Sequence, residues 1–179
     1  MRFTNLIDQD LPLLAVDLGY SHRQKSCGIA HHHLSQPFAC EFGQAIEYCV
    51  GLITDSGPHL LVLEAVLSTY HNDAHNPEIR GAFEKGRGWY HGPGVTTFAA
   101  ALRFLQELDR RLLRGLQLPI VEGFLSYKPQ RSAHQVDAQR LVDEFEHAER
   151  FMPREGSESI LPIIEAVPEV RRYNAPTTG

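Results

Sequence analysis

The chain has 179 residues, 42% of them hydrophobic, and a formal net charge of −5, which suits one domain with a single sizeable core. No apolar run reaches the about 18 residues of a membrane span, and the opening MRFTNLIDQDLPLL lacks the charged-then-apolar order of a signal peptide, so a soluble, cytoplasmic protein without membrane association is expected. Cys27, Cys40 and Cys49 form no CxxC pair and leave an odd count, so they read as reduced, mostly buried thiols and exclude a secreted disulfide framework.

In chain order, Leu13-Leu14-Ala15-Val16-Asp17 is a short apolar run closed by an acid and followed by Gly19, the pattern of a buried strand ending in a turn. Cys27-Gly28-Ile29-Ala30 predicts a second strand and Pro37-Phe38-Ala39-Cys40 a weaker third, together an antiparallel meander. From Gln44 to Asp55, Ala45, Ile46, Cys49, Val50 and Ile53 recur at helical spacing, and Ser56-Gly57-Pro58 stops the helix. Leu60-Leu61-Val62-Leu63-Glu64-Ala65-Val66 is the most apolar stretch and predicts a central strand covered on both faces, with one carboxylate inside it.

Residues 68–94 are rich in His, Asn, Gly and Pro and form a longer connection than a compact domain usually carries. Helical spacing returns over Thr96 to Arg114, ended by Gly115, and a fifth strand is predicted over Leu118 to Phe124. Ser132 to Arg150 reads as a helix that Ser132 caps. Strands alternating with helices in this half imply right-handed crossovers and a parallel portion of the sheet. The expectation is an α/β domain over residues 1–152 with a five-stranded mixed sheet, and a proline-containing tail over 153–179 that packs on the body or on a partner.

Charge is uneven. Between Arg80 and Arg131 there are nine Lys or Arg against four acids, a local +5 that leaves −10 for the remainder. A basic middle is one reading; the other is that Arg103, Arg110, Arg111 and Arg114 line the solvated face and last turns of a helix, where cations favour the macrodipole.

Three motifs stand out in this order: Asp17-Leu18-Gly19-Tyr20-Ser21 with Cys27-Gly28-Ile29-Ala30; Leu63-Glu64-Ala65-Val66; and His134-Gln135-Val136-Asp137-Ala138 followed by Leu141. The first resembles the opening hairpin of RuvC-type resolvases and related ribonuclease-H-like nucleases, the second their glutamate at the end of the fourth strand, and the third their terminal helix. The resemblance covers roughly Leu13 to Ala148. It implies a ribonuclease-H-like fold and a divalent-metal-dependent nuclease in which Asp17, Glu64 and Asp137 are ligands of Mg2+ or Mn2+. His134 then stands where a fourth carboxylate often does. Resolvases of this type act as dimers, so a homodimer is a further expectation, with DNA or RNA as the partner.

The residues make a physical case of their own. Carboxylates side by side in an apolar sheet repel one another and resist ionisation unless a cation or hydrogen bonds compensate. Oxygen-rich sites suit magnesium or manganese, and a pair of such ions can stabilise both the attacking and the leaving oxygen of a phosphodiester cut by water. His134 and Asp137, three apart on a helix, share a face, so His134 can reach the metal or position the water. Each acid also has a plainer reading: Asp17 as a turn residue binding backbone amides before Gly19, Asp137 as a first-turn acid favoured by the macrodipole. Glu64, inside LLVLEAVL, has no obvious solvent face.

Substrate contacts are expected from Arg80, Lys85, Arg87 and Trp89 in the long connection and from Lys128 and Arg131 after the fifth strand. Gly86 to Gly94 combines close-approach glycines with aromatics and leads into a helix N-terminus, without a Walker or dinucleotide fingerprint; the alternative is a glycine-rich turn with Trp89 packed on the core. His31-His32-His33 reads as a surface run, since neighbours on a strand point to opposite faces and do not converge on one ion. His71, His75, His91 and Asp73 lack any zinc-site spacing. Two other functions stay open: a catalytically silent binding module of the same fold, and a nucleotide-binding phosphotransferase of the actin-like class.

Overall fold

The computed structural model describes residues 11–22, 24–65, 74, 93–116, 118–125, 132–145 and 162–166. Its elements are β1 (Leu13–Asp17), β2 (Cys27–His31), β3 (Phe38–Cys40), α1 (Phe42–Ser56), β4 (Leu60–Glu64), α2 (Pro93–Arg111), β5 (Ile120–Leu125), α3 (His134–Phe145) and β6 (Pro162–Ala166). They build one mixed sheet of order β3-β2-β1-β4-β5-β6. β1, β2 and β3 form the antiparallel meander, β4 runs parallel to β1 and β5 parallel to β4.

The sheet has six strands, not the five expected. The sixth comes from the apolar patch of the segment read as a tail, pairing antiparallel to β5 from Val121↔Ala166 to Leu125↔Pro162. Pro162 opens that strand at the sheet's edge, one of the few places a sheet accommodates proline.

Alternation along the strands sorts the core into two layers. Leu14, Val16, Ile29, Leu61, Leu63 and Ile120 face α1 and α2, where they meet Ala45, Cys49, Ile53, Phe104 and Leu108. Leu13, Ala15, Ala30, Leu60, Val62 and Val121 face the other way, onto Ala138, Leu141 and Val142 of α3. Parity then fixes the ends of two strands: Asp17 follows Leu13 and Ala15, and Glu64 follows Leu60 and Val62, so both acids belong to the α3 face.

Helix boundaries follow local chemistry. α1 begins at Phe42, two residues before the apolar periodicity, because the Gln44 side-chain oxygen accepts the backbone N–H of Glu41 at 3.1 Å. α2 begins at Pro93 rather than Thr96, since proline suits a first helical turn, and ends at Arg111. The arginines of α2 are largely neutralised where they stand. Arg103 and Arg110 both reach Glu107, at 2.6 and 3.2 Å, and Arg111 makes a two-pronged pair with Glu47 of α1. Glu47 is held below the usual carboxylate range by that guanidinium. The exposed-face reading of these arginines is the one the geometry supports.

All three cysteines are free and buried. Burial pushes the Cys27 thiol up to about 12 although it donates to the Gly19 carbonyl, and Cys49 goes up as well, so both are unreactive at neutral pH. Among the described residues, no helix is long and apolar enough to cross a membrane.

The histidine run is partly structural. His31 is buried, its Nδ1 accepts the His33 N–H at 3.3 Å and its Nε2–H therefore donates to the Tyr48 hydroxyl at 2.7 Å. His32 Nδ1 accepts the Leu13 N–H at 3.3 Å. His59 is only 1% exposed and its Nδ1–H donates to the Gly57 carbonyl at 2.9 Å. Burial holds His31 and His59 below imidazole's ordinary value, helped at His31 by its histidine neighbours and opposed at His59 by the Gly57 bond. A depressed histidine takes up its proton more readily in the unfolded chain. Its contribution to stability is therefore whole above about pH 6.5 and shrinks as the pH falls below that. In urea unfolding, the native chain is expected to lose more stability than a His59→Gln variant between about pH 7 and about pH 5; equal losses would remove His59 from the account.

Candidate metal centre

Two strand ends and one helix start make the site. Asp17 closes β1 and Glu64 closes β4, and the parallel register sets them directly opposite one another, Asp17↔Glu64. One further backbone bond follows this pair, the Leu18 N–H donating to the Glu64 carbonyl at 3.5 Å. From the α3 side the first helical turn brings Asp137. One ligand oxygen from each of Asp17, Glu64 and Asp137 lies within 4.8 Å of the others. Asp17 and Asp137 are 6% and 2% exposed, and Glu64 is half-buried.

Gly28 makes this approach feasible. It pairs with Asp17 across β1–β2 and, by parity with Ala30, faces α3. A Cβ there would overlap the backbone carbonyl of His134 and come within 2.5 Å of the Gln135 nitrogen. With the small Ala15 and Ala30 beside it, Gly28 lets the start of α3 settle against the sheet.

Neighbouring side chains hold two of the three acids in position. His134 Nδ1 lies 2.7 Å from Asp17 Oδ2, and since a carboxylate only accepts, the ring carries its proton on Nδ1. That bond, then the negative charge of Asp17, Glu64 and Asp137, raises the His134 pKa against the opposing effect of partial burial. Ser132 donates its hydroxyl to Asp137 Oδ1 at 2.6 Å. The cap position expected of Ser132 is held by Ala133, whose carbonyl accepts the Asp137 N–H at 3.2 Å as the first helical bond, and the Ser132 hydroxyl goes to the acid's side chain.

All four residues expected at the site, Asp17, Glu64, His134 and Asp137, therefore meet, and Ser132 and Gly28 join them in roles the sequence did not reveal. The donor set is three carboxylates with no sulfur, the chemistry of a hard divalent cation such as Mg2+ or Mn2+. Positioning bonds of this kind typically change metal affinity by about 10- to 100-fold. Ser132→Ala is accordingly expected to weaken Mn2+ binding within that range while leaving the fold intact; unchanged affinity by calorimetry would show that the Ser132–Asp137 bond does not act on the site.

The expected substrate contacts Arg80, Lys85, Arg87, Trp89, Lys128 and Arg131 lie outside the described residues, as do His71, Asp73, His75 and His91. No protein-family model, no curated protein and no solved structure matches this chain.

Proposed function

We propose that this protein is a divalent-metal-dependent nuclease of the ribonuclease-H-like, RuvC-like type, hydrolysing phosphodiester bonds of nucleic acid. The observation that carries the reading is the convergence of Asp17, Glu64 and Asp137 from two adjacent parallel strands and a helix start, two of them buried. Buried like charges at this spacing are unfavourable alone and favourable around a dication. A three-strand meander leading into parallel strands, with the acids on β1, β4 and the last helix, is the arrangement the resemblance implies; that part of the support is fold-level analogy.

In this reading Asp17, Glu64 and Asp137 would hold Mg2+ or Mn2+, which would supply charge stabilisation for hydrolysis of the phosphodiester. His134 orients the Asp17 carboxylate through its Nδ1–H, and Ser132 orients that of Asp137. Gly28 admits the helix that brings His134 and Asp137 to the strand ends. The buried strand ends also keep the acids from rearranging in solvent, so little reorganisation accompanies binding.

A panel of labelled single-stranded, duplex and branched DNA and RNA, incubated with the full chain and Mg2+ or Mn2+, tests the proposal. Cleavage that requires the metal and vanishes in Asp17→Asn is the expected result. Metal-independent cleavage, or cleavage that survives Asp17→Asn, would assign the activity elsewhere. Absence of cleavage together with absence of metal binding would leave the silent binding module as the better description.

A further inference from the structure

The turn between β1 and β2 carries an aromatic ring that is largely open to solvent. Tyr20 stands three residues after Asp17 and is 60% exposed. Its ring meets Phe42, the first residue of α1, edge to face, with centroids 4.9 Å apart and planes at 84°. Phe42 in turn rests on the fully buried Phe104 at 6.1 Å. The exposed ring is thus propped on the core through a file of aromatic contacts.

The backbone on either side of Tyr20 is pinned as well. The Gly19 carbonyl accepts the Cys27 thiol at 3.3 Å, and the Ser21 N–H donates to Ser26 Oγ at 3.2 Å. Gly19 packs so closely on Ser26 that a Cβ would lie 2.8 Å from the Ser26 Cβ and overlap its carbonyl. The ring therefore occupies a fixed place, and three residues of chain limit its distance from Asp17 to about 11 Å between Cα atoms. That is about three base rises along one strand. Tyr20 leans towards the α1 side of the sheet, whereas the acids face α3. Ring and carboxylates thus flank the carboxyl end of β1 from its two sides. Lys25, in the same β1–β2 connection, is an exposed cation.

We propose that Tyr20 is a stacking residue for an unpaired base of the nucleic-acid strand whose backbone crosses the end of β1, with Lys25 as a phosphate contact. This rests on the nuclease reading and narrows its substrate to single strands, or to structures that present unpaired nucleotides beside the cut. A fixed, solvent-facing aromatic ring is a platform for the face of a base, and every base offers one once it is unstacked from its neighbours. In continuous duplex those faces are covered, so Tyr20 gives duplex no advantage.

The test is equilibrium binding of the full chain to short single-stranded DNA and RNA containing 2-aminopurine, at low ionic strength in EDTA so that cleavage does not intervene. Stacking is expected to quench the probe on binding. Tyr20→Ala is expected to bind about 5- to 150-fold more weakly and to lose the quench, while Tyr20→Phe retains both. Lys25→Gln is expected to reduce the salt dependence of binding by about one phosphate contact without changing the quench. Unaltered affinity and quench in Tyr20→Ala, no binding of single strands by the native chain, or equal preference for intact duplex would each overturn the proposal. Because the readout is binding without metal, it separates from the parent reading. A chain that binds Mn2+ but is indifferent to Tyr20 keeps the metal centre and loses the stacking role; a chain that stacks the probe but binds no metal does the reverse.

Discussion

Glu64→Gln is expected to abolish divalent-metal binding and metal-dependent cleavage while leaving the metal-free fold as stable as the native one, or more stable. Glu64 ends β4 directly opposite Asp17, and both acids face the helix that carries Asp137. Without a cation, three carboxylates in this space raise one another's energy, and removing one negative charge while nearly keeping its shape relieves that repulsion. In the proposed metal centre the same exchange deletes an anionic ligand. Since loss of an outer positioning group already costs about 10- to 100-fold in metal affinity, loss of a ligand is expected to exceed that range. Urea unfolding in EDTA, paired with Mn2+ titration of the same samples, measures both sides. A site kept for function at the expense of the bare fold gives opposite signs in the two experiments. A variant that is clearly less stable than the native chain in EDTA would instead mark Glu64 as a structural acid, held by its surroundings for packing.

Gly28→Ala is the second large effect expected, and it works through the backbone. The added methyl group would overlap the His134 carbonyl, and it would meet main chain instead of a side chain that could rotate away. Either β2 or the start of α3 must then move. Overpacking of this kind typically costs about 1–3 kcal/mol, and more where backbone has to shift. Displacing α3 also withdraws His134 from Asp17 and Asp137 from the strand ends. The variant is therefore expected to lose metal affinity along with stability. Ala at Gly43, which has open space around it on α1, is the matched control and should leave metal affinity unchanged. A stable Gly28→Ala chain with native metal affinity would contradict the close approach of α3 to β2.

The parts of the site that lie within one strand or one helical turn were legible in the sequence. Leu13–Asp17 is the strand the apolar run predicted, and its alternation already places Asp17 on one face. Glu64 is conspicuous as the only charge in the most apolar stretch, and the spacing of His134 and Asp137 puts them on one helical face. What escaped the sequence depends on partners far away along the chain. Gly28 is needed because of a helix more than a hundred residues later, and nothing in Cys27-Gly28-Ile29-Ala30 announces that. Ser132 stands one residue before the cap position, and its hydroxyl goes to a side chain whose position is set by the tertiary fold. The sixth strand was obscured by its opening proline and short apolar run, which resemble a packed tail until β5 offers an edge to pair with. Tyr20 lies within the first motif, but its exposure and its seat on Phe42 belong to the folded chain alone.

Whether Asp17, Glu64 and Asp137 form a working metal centre is read from isothermal titration of the full chain with Mn2+ at low ionic strength, repeated with Asp17→Asn. Saturable binding by the native chain is expected, with its loss in the variant and the variant still folded by circular dichroism. Binding that is absent from the native chain, or unchanged by Asp17→Asn, would mean that the three acids are not a metal centre.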